Sequence, residues 1–321
     1  MNTSAHAVDA ALGKPGDFIL GLEVVLPTGE ILETGTKSTR RPAGIDLTKL
    51  FIGSEGLFGI ITKIRMRLIP LPSTKNIVAY YTNEDDVLQT VMEMYRQNVP
   101  APLFFEFLDR KSAKIGFESV GLKDPQSSVA IISVHAWSQA GVEEKARLFK
   151  NFLEKNKAVK VEIVEDEMKW NKIWSSRSEA GNFLNRYGTS WVCELTPRVD
   201  KLKEAYHEAD QLIRNMEAYK SPENFVFGHI GAPTIHAHCF IPRLDLSDEV
   251  KKAVTMEFME KMEMLNVKYE GHGGEWGVTG LRIPFFIKKK YKTIYYDLLV
   301  KLKRMFDPNN ILNTGNLEGL M

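Results

Sequence analysis

Cysteine is nearly absent from this chain: Cys193 and Cys239 are the only two in 321 residues. Two distant thiols make no disulfide framework. They also cannot hold an iron–sulfur cluster, which takes about four cysteine ligands. Such scarcity fits a reducing compartment. No apolar run approaches the roughly 20 residues that cross a bilayer. The N-terminus has neither a basic n-region nor an apolar h-region, so no secretory leader is expected. Neither sign of charge dominates, with 42 Lys and Arg against 41 Asp and Glu and a net charge of +1. There is no basic stripe to suggest nucleic acid or an anionic membrane. The run Lys288-Lys289-Lys290 is short and reads as a solvated helix face. Repeats and low-complexity segments are also missing. The expected location is cytoplasmic, free or peripheral to the membrane.

What is present is ordinary globular material, 44% hydrophobic and 26% charged. The length suggests two domains, or one large domain with an insertion. One stretch, residues 46–70, organises the rest. Asp46 to Phe51 form a short amphipathic turn that leads into the loop Gly53-Ser54-Glu55-Gly56-Leu57-Phe58-Gly59. A strand follows, with Ile60, Thr62, Ile64, Met66 and Leu68 on one face and Lys63, Arg65 and Arg67 on the other. Glycines at 53, 56 and 59 allow positive φ and let backbone approach a ligand closely. Exposed N–H groups in such a loop suit phosphate or the edge of a flat polar ring. A purely structural turn before a strand accounts for the same residues. A Rossmann fingerprint is excluded, because the strand–turn–helix order and Gly-x-Gly-x-x-Gly spacing are missing.

Upstream, Asp17 to Leu26 and Ile31 to Thr34 read as a hairpin around Pro27-Thr28-Gly29-Glu30. Pro70-Leu71-Pro72-Ser73-Thr74 marks a boundary. Beyond it, strands alternate with helices. Strands are expected over 76–82, 103–108, 129–137, 159–164 and 191–195, with a hairpin over 224–230 and 234–241. Helices are expected from Asn83 to about Asn98 and over 142–155, 165–184, 199–216, 247–265 and 284–305. This alternation indicates an α+β fold, a sheet layered with helices.

Three further groups carry chemistry. Within Gly228-His229-Ile230-Gly231-Ala232-Pro233-Thr234-Ile235-His236-Ala237-His238 stand three of the seven histidines. His236 and His238 share one strand face, with His229 across the turn. Metal binding or catalysis stands beside the plainer reading of hydrogen-bonded core histidines. In Tyr269-Glu270-Gly271-His272-Gly273-Gly274-Glu275-Trp276-Gly277, glycines bracket His272, Glu275 and Trp276. Two histidines and Glu275 would leave one coordination position open, as catalytic zinc sites do. Arg177, in Trp174-Ser175-Ser176-Arg177, reads by itself as a helix-surface residue.

The string Asp46-Leu47-Thr48-Lys49-Leu50-Phe51-Ile52-Gly53-Ser54-Glu55-Gly56, continued by Gly59-Ile60-Ile61-Thr62, resembles the second half of the FAD domain in FAD-linked oxidases of the D-lactate dehydrogenase and glycolate oxidase type. These belong to the vanillyl-alcohol-oxidase superfamily. The end segment Phe306-Asp307-Pro308-Asn309-Asn310-Ile311-Leu312-Asn313-Thr314-Gly315 resembles the C-terminal motif of the same family. The resemblance implies a partial FAD-binding domain over 1–72 and a ferredoxin-like antiparallel sheet domain with helices over 73–270. A C-terminal segment, 271–321, would return to the FAD domain. It implies FAD as cofactor, along Gly53, Ser54, Glu55, Gly56, Gly59 and Ile60, with Asn313 at the flavin edge. His229, His236 and Glu275 fall on positions that bind a divalent metal, zinc or manganese, in several members. Arg177 falls on a carboxylate-binding position. The family's base histidine is Trp276 here, which leaves His238 or His272 to take the substrate's hydroxyl proton. A lysine that some members use against a second carboxylate falls near Val192, which argues against a dicarboxylate substrate.

The implied function is oxidation of a 2-hydroxy acid such as D-lactate or glycolate. Electrons would pass to a separate acceptor, such as an iron–sulfur protein, a quinone or a cytochrome. Asn2-Thr3-Ser4-Ala5-His6 is similar to the interior of the family's FAD domain. A further chain supplying the N-terminal half of that domain is therefore expected as a partner. Two other readings stay open: an aromatic or bulky alcohol as substrate beside Trp276, or a non-catalytic scaffold subunit.

Overall fold

The computed structural model describes residues 8–38, 44–216, 224–271 and 293–314. The chain divides into two compact units. One comprises residues 1–4, 13–70 and 275–321, the other residues 5–12 and 71–274. The first helical turn, α1 (Asp9–Leu12), belongs to the second of these.

In the first unit, β1 (Ile19–Val25) is the middle strand of an antiparallel sheet, between β2 (Ile31–Gly35) and β3 (Ile60–Met66). The β1–β2 turn closes at Gly29, whose φ of 86° needs no Cβ. Its N–H donates to Leu26 O at 2.9 Å. Helix α2 (Leu47–Phe51) starts on Asp46, whose carboxylate accepts from the Thr48 N–H at 3.0 Å. Leu22, Val24, Phe51, Leu57 and Phe58 form the core. Phe306, at the end of helix α9 (Thr293–Phe306), meets Phe51 and Phe58 at ring distances of 5.8 and 5.3 Å. Strand β3 alternates as the sequence predicts, but its apolar face is open. Ile60, Ile64 and Met66 are 56%, 46% and 51% exposed, while Ile61 packs on the core.

One buried ion pair fastens the C-terminal part of this unit to its glycine loop. Lys303 is fully buried, and its ammonium donates to Asp307 Oδ2 (2.5 Å), Leu312 O (2.6 Å) and Leu57 O (3.3 Å). All three donors of the ammonium are thereby used. Asp307 in turn accepts from the Ile311 and Leu312 N–H groups at 3.0 and 2.8 Å. Burial opposes ionisation of Asp307, but Lys303 and the two amides outweigh it and hold the carboxyl below its ordinary range.

The second unit holds a seven-stranded sheet in the order β7-β4-β6-β5-β9-β10-β8, with every adjacent pair antiparallel. The strands are β4 (Ser73–Tyr81), β5 (Phe104–Leu108), β6 (Ser128–Ala136), β7 (Lys160–Val164), β8 (Thr189–Leu195), β9 (Phe225–Gly228) and β10 (Ile235–Ile241). The helices are α3 (Glu84–Arg96), α4 (Arg110–Ser119), α5 (Gln139–Lys155), α6 (Glu167–Leu184), α7 (Leu202–Asn215) and α8 (Asp248–Lys268). With β4 and β6 central, β7 outside β4 and β5 outside β6, the first four strands reproduce a ferredoxin-like βαββαβ unit. Helix α4 is inserted between its second and third strands, where the residue pattern carries no helix signal. Strands β9, β10 and β8 extend the sheet beyond β5.

Side-chain caps start the long helices. Asn83, Asp109, Ser138, Asp166 and Ser247 each accept from the backbone N–H three residues on. Each such cap contributes about 1 kcal/mol. Asp109 does more, because its other oxygen accepts from the Val226 N–H at 2.8 Å and ties α4 to β9. Burial raises its carboxyl to about 6. Strands β5 and β10 are buried at every residue, as strands covered on both faces are.

Replacing Lys303 by Met leaves Asp307 buried without its counter-charge. Urea unfolding is expected to show a loss of about 3–5 kcal/mol; a loss under about 1 kcal/mol would mean that the pair does not hold the unit together.

Candidate active site

The site begins with a carboxylate in a strand made otherwise of large apolar residues. β5 reads Phe104-Phe105-Glu106-Phe107-Leu108, and Glu106 has no exposed surface. A lone carboxylate cannot stay ionised in such a place without partners. It has two. His229 Nδ1 lies 2.7 and 2.8 Å from its oxygens, and Arg177 Nη1 lies 3.2 Å from Oε2. An ionised carboxylate only accepts, so Nδ1 carries a proton, which in the neutral tautomer leaves the lone pair on Nε2.

Local geometry explains how three elements meet there. β9 and β10 close at Gly228, where a Cβ would stand 2.1 Å from Thr234 O, so only glycine permits the turn that delivers His229. Arg177 rides on α6, which crosses α4 at Gly116. A Cβ there would lie 2.2 Å from Ser176 O. The guanidinium stacks on Trp174, with Cζ 4.5 Å from the ring centroid. Arg177 keeps a partly exposed side chain, and its Nε is without a hydrogen-bond partner among the described residues. The fork is therefore only partly used by Glu106.

On β10, His236 and His238 each stack on the opposite residue of β9. His236 pairs with Phe227 at 4.9 Å and His238 with Phe225 at 4.2 Å, with rings 5° from parallel. His236 also meets His229 edge-on at 4.9 Å. Burial, and then the neighbouring His229 and Arg177, keep His236 well below the usual imidazole range. Burial alone drops His238 to about 3. Both rings are therefore neutral at pH 7. His238 lies between Phe225 and Gly181 of α6, and its Nδ1 has no hydrogen-bond partner among the described residues.

The structure thus brings together His229, His236 and Arg177, and adds Glu106, which the sequence reading passed over. The available signal was a single Glu inside an apolar strand. His238 is near them in the chain but set in aromatic packing. His272, Glu275 and Trp276 lie outside the described residues. Among the described residues, no group of three His, Cys, Asp or Glu side chains could hold a metal ion, and Glu275, the third member of the expected set, lies outside them. His229 has one ring nitrogen committed to Glu106, and His238 is turned into an apolar stack.

The glycine loop is built separately, in the first unit. Gly53, Glu55 and Gly56 have φ of 74°, 51° and 78°, so the chain reverses tightly around Ser54. Nothing lies within 4 Å of where a Gly56 Cβ would sit, so the loop is open there, and Ile60 beyond it is exposed. The Asn313 side-chain amide donates to Glu55 O and braces the turn. Gly59 has a different task, since a Cβ there would stand 2.4 Å from Val24 Cγ1 in the core. The open backbone at Gly56, held by Asn313, fits the edge of a flat cofactor such as FAD.

Residues 71–317 match the family of FAD linked oxidases, C-terminal domain. The chain is 30% identical over 312 residues to the glycolate oxidase subunit GlcD of Bacillus subtilis (strain 168), covering 95% of this chain and 64% of that protein. It is 24% identical over 319 residues to a D-lactate dehydrogenase of Anaerostipes hadrus, covering 95% and 65%. It therefore spans about two-thirds of the length of these relatives. Among solved structures, the 4-ethylphenol oxidase from Gulosibacter chungangensis in its isoeugenol complex superposes with a TM-score of 0.69 at 15% identity, over 92% of this chain and 65% of that one. That likeness shows a shared α+β fold.

Replacing His238 by Phe removes an unpaired buried nitrogen from an aromatic stack. Urea unfolding is expected to stay within about 1 kcal/mol of the wild type; a loss above about 3 kcal/mol would assign the ring a polar role.

Proposed function

Because this chain belongs to the FAD-linked oxidases through their C-terminal domain, we propose that it takes part in oxidising a small 2-hydroxy acid such as glycolate or D-lactate, with FAD as cofactor. The observation that carries the reading is the buried Glu106, which joins a histidine and an arginine suited to the two polar ends of such a substrate.

Arg177 takes the substrate carboxylate with the guanidinium N–H groups that Glu106 does not occupy. His229 Nε2 accepts the hydroxyl proton. Glu106 fixes the ring's tautomer through Nδ1 and stabilises the imidazolium that forms, as the carboxylate of a catalytic triad does. Neutral His236 and the Phe227 ring wall the site and exclude water. When bound, FAD supplies a two-electron acceptor for the carbinol hydride. Gly53, Ser54, Glu55, Gly56 and Ile60 would line its edge, with Asn313 bracing the loop. The open apolar face of β3 is where further flavin-binding polypeptide would pack. With only Cys193 and Cys239 in these 321 residues, onward electron transfer requires a separate acceptor, such as an iron–sulfur protein.

The test is anaerobic addition of D-lactate or glycolate to flavin-loaded protein while the flavin absorbance band is followed. Bleaching is expected. Arg177→Lys should slow reduction about 10–100-fold, the cost of a lost bidentate charged contact. Bleaching by an aromatic alcohol but by neither hydroxy acid would select the alternative substrate, and no bleaching by either class would select the scaffold reading.

A further inference from the structure

A cavity lies in the second unit, at the end of the sheet where β4 finishes, β7 begins and the α4–β6 loop passes. Its volume is about 460 Å³, within the range of small-molecule sites. Tyr80 and Phe117 form its apolar side, and Arg110, Lys123 and Lys160 bring three cations to it. Arg110 and Lys123 have no ion-pair partner among the described residues. Lys160 stacks on Tyr80 at 5.3 Å, with Glu162 at 3.7 Å. Asp124 also lines the cavity, but its Oδ1 already accepts from the Gln126 N–H at 2.8 Å. Ser127 is 7% exposed, and its Oγ is buried with no hydrogen-bond partner among the described residues.

Each observation asks for the same complement. Unpaired cations grouped at a concave surface attract an anion. A buried hydroxyl without a partner is costly and is satisfied by an acceptor oxygen. The half-buried Tyr80 ring, with the buried Phe117 beside it, favours a flat apolar body rather than a bare ion. We infer that this cavity binds a small organic anion, a phosphate ester or carboxylate carrying a flat apolar ring, independently of the flavin site. The anionic oxygens meet Arg110, Lys123 and Ser127 Oγ, and the ring lies along Tyr80 and Phe117.

Phenyl phosphate is a suitable probe, measured by equilibrium dialysis against the full chain. One saturable site is expected, with inorganic phosphate and phenol each binding at least about 10-fold more weakly. The Arg110→Glu/Lys123→Glu variant should weaken phenyl phosphate at least about 10-fold with an unchanged unfolding midpoint, because both side chains are exposed. If that variant fails to fold, Ser127→Ala decides, with binding expected to weaken about 5-fold. Phenyl phosphate binding no tighter than inorganic phosphate, or unchanged binding in the variants, overturns the proposal. Flavin bleaching by hydroxy acids bears on neither outcome.

Discussion

A single buried carboxylate sets the terms for the second unit's site. Glu106 sits at zero exposure in the middle of the sheet, where an isolated charge would cost several kcal/mol. Its partners come from a distant hairpin and a distant helix, so β5, the β9–β10 turn and α6 must arrive together. The glycines fit this requirement. Gly228 lets the hairpin close tightly enough to deliver His229, and Gly116 lets α4 approach α6 where Arg177 projects. Neutral His236 follows from the same setting, because burial and the neighbouring His229 and Arg177 all oppose a charge on its ring.

The first unit shows a parallel solution with opposite polarity. There a buried ammonium, Lys303, collects a carboxylate and two carbonyls, one of them Leu57 O in the glycine loop. Asn313 adds a contact to Glu55 O. The loop is thus held from outside as well as by its own Leu57 N–H to Ser54 O hydrogen bond at 2.9 Å. A rigid, unobstructed loop is what a flat cofactor requires, since ordering it on binding would reduce affinity.

The α+β class was legible in the chain because caps and periodicity agree. Asn83, Ser138, Asp166 and Ser247 stand directly before helices whose apolar residues recur at helical spacing. Helix α4 was not legible. Its cap, Asp109, is followed by Arg110-Lys111-Ser112, which reads as a polar loop, and Gly116 interrupts the short apolar stripe. Strand period showed that His236 and His238 share a face. It could not show that Phe225 would stack on His238 and leave it in apolar packing. Glu106 escaped notice for the same reason: spacing reveals neighbours along an element, whereas its partners are neighbours only in the folded sheet. The metal expectation drew on Glu275, which lies outside the described residues, and the histidines alone do not replace it.

The central claim is that Glu106 and Arg177 act as one unit. A double-mutant cycle with Glu106→Gln and Arg177→Met, read by urea unfolding, tests it most directly. Coupling of about 1–3 kcal/mol is expected, because Arg177→Met removes one of the two partners that offset the buried Glu106 charge and Glu106→Gln removes that charge. Additivity within about 0.5 kcal/mol would contradict the account and leave the site as two unconnected side chains.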